Sequence, residues 1–326
     1  DQPVELAAAV KVTGQSGRIR YGVMAAFEDD FKFDAELNGA PVHLEGESSD
    51  YGVARILYED APGGAYKALG YISTALLNDN RQAKTHGVDA HYLSAGGKFT
   101  FDGQLFLSDI EDEETGQGGF LDFEFNFRKG VKQRLGIEWA DDHVDINDMG
   151  FLVRNSYRQI RTAHSRTNSD LSWARTNEFD LRGFMQKNSD DLLSGAAIFL
   201  SNRTTFQNLD QFTIHMSYSP ESYDDLNSFG NGTYRIEEQS FLGLSYDSDG
   251  SQEFSYGLGL GVQEEHLGDD TLISRLSFSW RPNDRFALNL EVRHFNRKGW
   301  LLHQEDRNMT SFDAEQWTPI VSAEYF

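Results

Sequence analysis

Residues 315–326 read Glu315-Gln316-Trp317-Thr318-Pro319-Ile320-Val321-Ser322-Ala323-Glu324-Tyr325-Phe326, and this stretch carries the pattern that decides the fold. Its odd-numbered positions from 317 onward are largely apolar: Trp317, Pro319, Val321, Ala323 and Tyr325. Its even-numbered positions are more polar and include Thr318, Ser322 and Glu324. Successive side chains of a β-strand point to opposite faces, so this alternation predicts a strand with one apolar face.

A strand that ends on an aromatic residue, here Phe326, is similar to the closing strand of bacterial outer-membrane β-barrels. The alternative for this stretch alone is the last strand of a soluble β-protein. The rest of the chain separates these two interpretations, because a membrane barrel needs many alternating segments of about ten residues each.

Alternation of the same kind recurs along the whole sequence. It is clearest in residues 120–128, where Leu121, Phe123, Phe125 and Phe127 alternate with polar residues. The predicted strands are 4–13, 18–27, 51–58, 65–76, 86–94, 98–108, 120–128, 133–139, 155–167, 171–186, 193–201, 211–219, 234–246, 253–262, 272–280, 286–295 and 315–326. A short additional hairpin is predicted within residues 31–45. These segments predict roughly 16 to 18 strands.

Short turns alternate with long connections from one end of the chain to the other. Gly14-Gln15-Ser16-Gly17 and Ala95-Gly96-Gly97 are tight turns, whereas residues 28–50 and 109–116 form long polar connections. Transmembrane barrels show this asymmetry, with tight periplasmic turns and longer extracellular loops. A soluble sandwich would show less regular connections. We therefore predict an all-β fold, an antiparallel transmembrane β-barrel, that forms a single domain over residues 1–326.

The composition narrows the possible functions. The 326 residues carry a formal net charge of -23, which argues against nucleic acid as a partner because its phosphates would be repelled. There is no cysteine, so disulfides, thiolate metal sites and cysteine nucleophiles are excluded, and no motif predicts a cofactor. The mean hydropathy of -0.55 and the lack of any apolar run approaching ~18 residues exclude a transmembrane helix but not a barrel, whose lipid-facing side uses every second residue. Asp1 does not begin a signal peptide, so we expect that one was removed or that the sequence starts inside a longer chain.

Strand parity assigns side chains to the two faces of the predicted barrel. The expected lipid-facing band contains Phe123, Phe125, Tyr256, Leu258, Leu260, Phe278, Trp280, Leu288 and Leu290. The expected charged residues of the lumen are Asp122, Glu124, Arg128, Arg134, Glu138, Glu178, Asp180, Arg182, Arg275, Glu291 and Arg293. Rings of charge set which solutes pass through a pore, so these lumen residues are the candidate selectivity residues. The alternative is a paired network of charges that fills a closed lumen.

Acidic and basic loop residues suggest two further site hypotheses. The acidic loop residues are Asp109, Glu111, Asp112, Glu113, Glu114, Asp141, Asp142, Asp145 and Asp148. They offer oxygen ligands for calcium or magnesium, but a solvated acidic loop is the preferred interpretation, and no metal site is predicted. The basic residues of 154–166 suggest binding of an anionic solute or a lipopolysaccharide phosphate, and their alternative role is pairing with the acidic loops.

His215 and Ser217 suggest an enzyme hypothesis. They share one strand face, which resembles the arrangement in outer-membrane phospholipase, where an asparagine on a neighbouring strand completes the triad. By parity, Phe212, Ile214 and Met216 take the lipid side. His215 and Ser217 would therefore face the lumen, away from a lipid substrate.

Two stretches of the sequence resemble a known family. Residues 9–17, read as Ala-Val-Lys-Val-Thr-Gly-Gln-Ser-Gly and followed by Tyr21-Gly22-Val23, look like the start of the carboxy-terminal barrel of the DUF5916-type family of large bacterial proteins. Residues 145–154, with an Asn-Asp pair followed by glycine, an aromatic residue and leucine, are similar to a second family segment. The resemblance implies an outer-membrane barrel preceded by a carbohydrate-binding-module-9-like domain, which hints at a glycan connection. It supplies no active-site residues.

The sequence leads to three hypotheses of function in the outer membrane of a Gram-negative bacterium. The first is a porin-like channel that passes or docks a solute or polymer through a mixed-charge lumen. The second is a closed structural anchor for a periplasmic domain or a secretion partner. The third, a hydrolase acting on lipid, rests on His215 and Ser217 alone. The expected partners are outer-membrane lipid and lipopolysaccharide, with a small solute or glycan.

Overall fold

The structure is a computed structural model in which residues 6–37, 40–228, 231–266, 269–303 and 308–325 are described. These residues are largely β-strand, with one 3-10 turn at Pro62–Gly64. The strands are β1 (Leu6–Ser16), β2 (Ile19–Glu28), β3 (Phe31–Leu37), β4 (Ala40–Gly46), β5 (Asp50–Asp60), β6 (Tyr66–Leu77), β7 (Gln82–Leu93), β8 (Phe99–Ile110), β9 (Gly116–Arg128), β10 (Val131–Ala140), β11 (Tyr157–Asn168), β12 (Ala174–Asn188), β13 (Leu193–Phe206), β14 (Gln211–Ser219), β15 (Ser222–Asp224), β16 (Tyr234–Ile236), β17 (Gln239–Asp247), β18 (Phe254–Gln263), β19 (Thr271–Asn283), β20 (Phe286–His303) and β21 (Met309–Tyr325). No helix within the described ranges is long and apolar enough to cross a membrane.

A single antiparallel sheet contains 17 of these strands, and the others form two small hairpins, β3 with β4 and β15 with β16. Where a small hairpin intervenes, the large sheet continues past it, from β2 to β5 and from β14 to β17. The predicted all-β antiparallel fold of roughly 16 to 18 strands is therefore confirmed. Among the described residues, no pairing joins β1 to β21.

Contacts between residues divide the chain into two compact units. Unit 1 consists of Asp1–Phe125 and Gly136–Gln159, and unit 2 consists of Asn126–Leu135 and Ile160–Phe326. Strands β1 to β8 thus belong to unit 1, and β12 to β21 belong to unit 2. The expectation of a single domain over residues 1–326 stays a prediction.

In unit 1 the strand register separates an apolar face from a polar face, because directly opposite residues of an antiparallel pair project to the same side. One unbroken row of opposite residues crosses β2, β5, β6, β7 and β8 on the apolar face: Tyr21, Ile56, Tyr71, Val88 and Leu105. Each of these side chains has 41% to 49% of its surface exposed. Phe123 and Phe125 lie on the same face, opposite Phe101 and Phe99, as parity predicts.

Unit 2 also has two distinct faces. Phe254 lies opposite Trp280, Tyr256 opposite Phe278 and Leu258 opposite Leu276. Leu288 and Leu290 continue this apolar face on β20. The face is widely exposed, with 65% exposure at Leu260 and 70% at Val321. The predicted outward residues of this unit therefore share one face: Tyr256, Leu258, Leu260, Phe278, Trp280, Leu288 and Leu290.

The terminal strand has the predicted two faces, because its alternating apolar residues lie opposite the apolar face of β20: Trp317, Pro319, Val321, Ala323 and Tyr325. The prediction of an aromatic terminus at Phe326 lies outside the described residues. The predicted hairpin within residues 31–45 is confirmed as β3 and β4.

Several predicted segment boundaries were wrong. The loop expected between β20 and β21 is shorter than predicted, because β20 extends to His303 and β21 begins at Met309. Asp313 stabilises these extensions: one of its carboxylate oxygens lies 3.3 Å from Lys298 Nζ, and the other accepts a hydrogen bond from the Gly299 N–H at 3.0 Å. The expected strand 234–246 is divided into β16 and β17. The expected connection 78–85 ends earlier, at the start of β7. The added segments of β7 and β20 do not alternate strictly between apolar and polar residues, so the sequence pattern does not show them.

Candidate functional site

The polar face of unit 2 contains the charged residues that parity predicted for β12. Glu178, Asp180 and Arg182 lie opposite Arg203, Ser201 and Phe199 of β13. Arg182 Nε lies 2.6 Å from an oxygen of Asp180. This group is therefore mixed in charge and paired within itself, as is typical of charges on a partly hydrated surface.

A second charged group lies on the same face at β19 and β20. Arg275 lies directly opposite Arg293, and Glu291 lies two residues before Arg293 on the same strand. Each guanidinium has its own carboxylate, because Arg275 pairs with Asp247 and Arg293 pairs with Glu291. These local pairs compensate for the two like charges at opposite positions.

The polar face of unit 1 contains Asp122 and Glu124, which lie opposite Asp102 and Thr100. Asp102 belongs to a chain of charged groups that the sequence reasoning missed. His91 contacts Asp102 through Nδ1 at 2.6 Å and Asp89 through Nε2 at 3.1 Å. A protonated His91 donates to both carboxylates, whereas a neutral imidazole donates to one.

Arg55 completes this chain of charges by a 3.0 Å hydrogen bond from Nη2 to Asp89 Oδ2. Asp89 has only 6% of its surface exposed, which makes it the most deeply buried carboxylate of the face. The signal for these residues was present in the sequence, since Asp89 and His91 occupy alternate positions of β7. The predicted lumen residues came from strands with the most regular apolar alternation, and β7, which contains Asp89 and His91, was not among them.

Three further candidate selectivity residues lie on β9 and β10. Arg128 has the strand parity of Asp122 and Glu124, and Arg134 has that of Glu138. The hydroxyl of Tyr157 donates a hydrogen bond to Glu138. A role in selectivity for Asp122, Glu124, Arg128, Arg134, Glu138, Glu178, Asp180, Arg182, Arg275, Glu291 and Arg293 stays a prediction.

The connection 141–156 between β10 and β11 folds back against the polar face of unit 1. The Ser108 hydroxyl donates to the backbone carbonyl of Asp145 and accepts from its backbone N–H at 3.2 Å. Val144 has 2% of its surface exposed and Ser108 has 1%. We call residues 141–156 the inner loop, because it buries this end of the polar face.

Arg81 fixes the inner loop from the connection between β6 and β7. Its Nε donates to Asp148 Oδ1 at 2.8 Å, and its Nη2 donates to Asp148 Oδ2 at 3.0 Å and to Asp145 Oδ2 at 2.6 Å. The hydrogen bonds to Asp148, followed by weaker ones to Asp145, raise the pKa of Arg81 above its usual range. The guanidinium is therefore a permanent, bidentate clamp on the loop. Asp145 and Asp148, which were candidate calcium ligands, are instead its ion-pair partners.

We predict that Gly116→Ala releases the inner loop. A Cβ at Gly116 would lie 2.4 Å from the backbone carbon of His143 and the backbone nitrogen of Val144, and backbone atoms cannot move aside cheaply. The overpacking should lower the free energy of unfolding by about 1–3 kcal/mol, measured by urea denaturation. Gly52→Ala is the matched control, because nothing lies within 4 Å of its Cβ position. Equal effects of the two substitutions would contradict the packing described here.

The remaining site hypotheses find less support in the geometry. Asp141, Asp142 and His143 offer ligand atoms within 4.8 Å of one another, but His143 already contacts Asp142 at 3.1 Å and Glu114 at 3.2 Å.

No hydrogen bond joins His215 to Ser217 in the part of the chain that the structure describes, and the cross-strand neighbours of His215 are Ser201 and Gly243. Neither neighbour is a carboxylate or amide that would orient the imidazole for catalysis.

Comparison with solved structures returns several similar chains. The outer membrane protein OpdK from Pseudomonas aeruginosa is 11% identical, with a TM-score of 0.44 over 98% of this chain and 99% of that one. OpdQ from Pseudomonas aeruginosa is 9% identical, with a TM-score of 0.43 over 98% and 97%. OccAB4 from Acinetobacter baumannii is 10% identical, with a TM-score of 0.44 over 98% and 96%.

Sequence comparison gives a more specific relationship. No curated protein sequence matches the chain. The domain of unknown function DUF5916 matches residues 70–326, which is most of the sequence and includes the inner loop and all of unit 2 from β12 onward. The chain therefore belongs to the DUF5916 family.

Proposed function

We propose that the chain forms a β-barrel in the bacterial outer membrane and passes small solutes through a lumen of mixed charge. The observation that carries this proposal is the division of each unit into an exposed apolar face and a charged polar face. Soluble monomers rarely expose a contiguous apolar patch larger than a few hundred Å². A sheet with this pattern fits a bilayer that covers the apolar side and water that hydrates the other.

Closure of the sheet follows from the same argument. In lipid, every backbone N–H and C=O needs a partner, so a membrane-spanning sheet has no free edge. We propose that the sheet is closed in the membrane and that its charged faces then surround the lumen.

The charge balance of the polar faces supports a preference for cations. In unit 2 the ion pairs described above compensate Arg182, Arg275 and Arg293. Among the described residues of unit 1, Lys11, Arg20, Arg55 and His91 share the face with Glu59, Asp89, Asp102, Asp122 and Glu124, which leaves an excess of carboxylates. Carboxylate rings favour cations in water-filled pores.

The conductance of the refolded chain in a planar bilayer under a salt gradient tests this function. We expect steady single-channel currents and a reversal potential of the sign given by cation selectivity. The double substitution Asp102→Asn with Asp122→Asn should move the reversal potential toward zero, because it removes two carboxylates from one row of the polar face. Glu113→Gln, in an exposed connection, is the control and should leave the potential unchanged. An inserted chain that carries no current would contradict the channel.

The second candidate, a closed anchor, is favoured by the inner loop, which covers part of the polar face. The family resemblance implies a carbohydrate-binding-module-9-like domain before the barrel, and such a domain is what an anchor would hold. This candidate predicts an inserted protein without conductance, and it would take lipopolysaccharide and a periplasmic or secretion partner as its contacts. The bilayer measurement separates the two candidates.

A further inference from the structure

The polar face of unit 2 holds a cavity of about 460 Å³ that contains aromatic rings. One row of cross-strand neighbours crosses it from β12 to β18, and we call it the ring row: Arg182, Phe199, Ser217, Phe241 and Gln263. The adjacent row on the same face consists of Asp180, Ser201, His215, Gly243 and Gly261. Both rows belong to unit 2, so the cavity lies within one compact unit.

Phe241 lies flat against the sheet because two glycines make room for its ring. Gly243 and Gly261 are directly opposite each other on β17 and β18. A Cβ at Gly243 would lie 2.7 Å from Phe241 Cζ, and a Cβ at Gly261 would lie 3.0 Å from Phe241 Cε2. The ring therefore covers both glycines with one side, and its other side faces the cavity.

Phe199 provides the second ring of the row. It is 40% exposed although it lies on the charged face, and it stacks on Phe184 with a centroid distance of 6.5 Å and an interplanar angle of 16°. Phe199 and Phe241 are separated by one strand, which places them about 9.6 Å apart along the row. Phe199 therefore exposes part of its ring on the same face as the charged and polar groups Arg182, Asp180 and Ser217.

The polar groups around these rings define the charge of a matching ligand. Arg182 is already paired with Asp180 at 2.6 Å, so the charge of this guanidinium is compensated and does not favour an anion over a neutral ligand. In the described chain, the side chains of Ser217, His215 and Gln263 make no intramolecular hydrogen bond, although each lines the cavity. These groups are available as donors and acceptors to a bound molecule.

We propose that the ring row is a binding subsite for a neutral solute that has a flat ring face and hydroxyl groups. Phe199 and Phe241 would stack on the ring, while Ser217, His215 and Gln263 would bind the hydroxyls. Sugars and hydroxylated aromatic compounds both have this chemistry. The inference names the solute class of the proposed channel and rests on that function, since the lumen must be open for a solute to arrive.

Saturation-transfer NMR on the full chain, refolded in detergent micelles, tests the subsite with two probes, myo-inositol and benzyl alcohol. We expect at least one probe to receive saturation from the wild-type chain. Transfer to myo-inositol alone assigns a sugar-like ligand, and transfer to benzyl alcohol assigns an aromatic one. Phe241→Ala should weaken binding of that probe roughly three- to tenfold, because it removes a stacking ring. Gly243→Ala should do the same without removing the ring, because the new Cβ displaces it.

Two controls isolate the ring row. Ile320→Ala removes another exposed apolar side chain, 44% exposed, from the polar face of the same unit. Gly183→Ala adds a Cβ whose nearest neighbour is at 3.4 Å. Both controls should bind as the wild type does. Absence of transfer to both probes, or equal losses in the controls, would overturn the subsite. Bilayer conductance is recorded separately, so loss of binding with retained current refutes the subsite alone.

Discussion

Leu244→Arg is expected to lower the stability of the chain in lipid bilayers by about 2–4 kcal/mol. Leu244 lies on the apolar face of unit 2, between Ile214 and Leu260 on the neighbouring strands. If this face contacts lipid, the substitution places a guanidinium in hydrocarbon, where it has neither water nor a counter-ion. The measurement is the free energy of unfolding by urea from lipid vesicles.

Ser245→Arg is the control, because Ser245 is the next residue of β17 and points to the other face. Its neighbours are Thr213 and Gly259, and Asp247 lies two residues further along the strand. An arginine there would be hydrated and near a carboxylate, so stability should change little. Similar losses for the two substitutions would mean that the apolar face is not in lipid.

Arg81→Ala is expected to release the inner loop from the polar face of unit 1. The substitution removes three hydrogen bonds to Asp145 and Asp148 and leaves the two carboxylates without their shared cation. Hydrogen bonds to charged groups contribute about 1.5–3 kcal/mol, so the detached state should become at least roughly tenfold more populated. Trypsin cleavage after Arg154 should accelerate by that factor. In a channel, the single-channel conductance should rise with it.

Arg20→Ala serves as the control for this experiment. Arg20 forms an ion pair with Glu59 at 2.7 Å, but its side chain is 57% exposed and the pair involves no residue of the inner loop. The control substitution should leave trypsin cleavage after Arg154 unchanged. If Arg81→Ala also leaves the cleavage rate unchanged, the loop is held by Ser108 and the packing at Gly116 rather than by the clamp.

The sequence predicts the two faces of this fold well because the signal is local. In β18, Tyr256, Leu258 and Leu260 alternate with glycine, and the period of two suffices to place them without knowing their partners. The same holds for the charged triplet of β12. The presence of a strand, and the face to which each of its side chains points, can therefore be predicted from residues that are adjacent in the sequence.

The inner loop and the ring row were not predictable in this way because they depend on contacts distant in sequence. Arg81 meets Asp148 across 67 residues, and Asp148 is indistinguishable in the sequence from other loop acids. Gly243 and Gly261 acquire their role only when the register of β17 and β18 places them opposite each other. From the sequence alone, a glycine within a strand is expected to weaken that strand. Its role in making room for a ring becomes visible only when the cross-strand neighbours are known.

The most direct test of the two-faced membrane sheet is a cysteine scan of β14 in lipid vesicles, which the absence of native cysteine makes possible. Single cysteines at residues 214 to 217 would be treated with a water-soluble maleimide. We predict labelling at His215 and Ser217, which face the polar side, and protection at Ile214 and Met216. Uniform labelling along the strand, or protection of the polar positions with labelling of the apolar ones, would contradict the account.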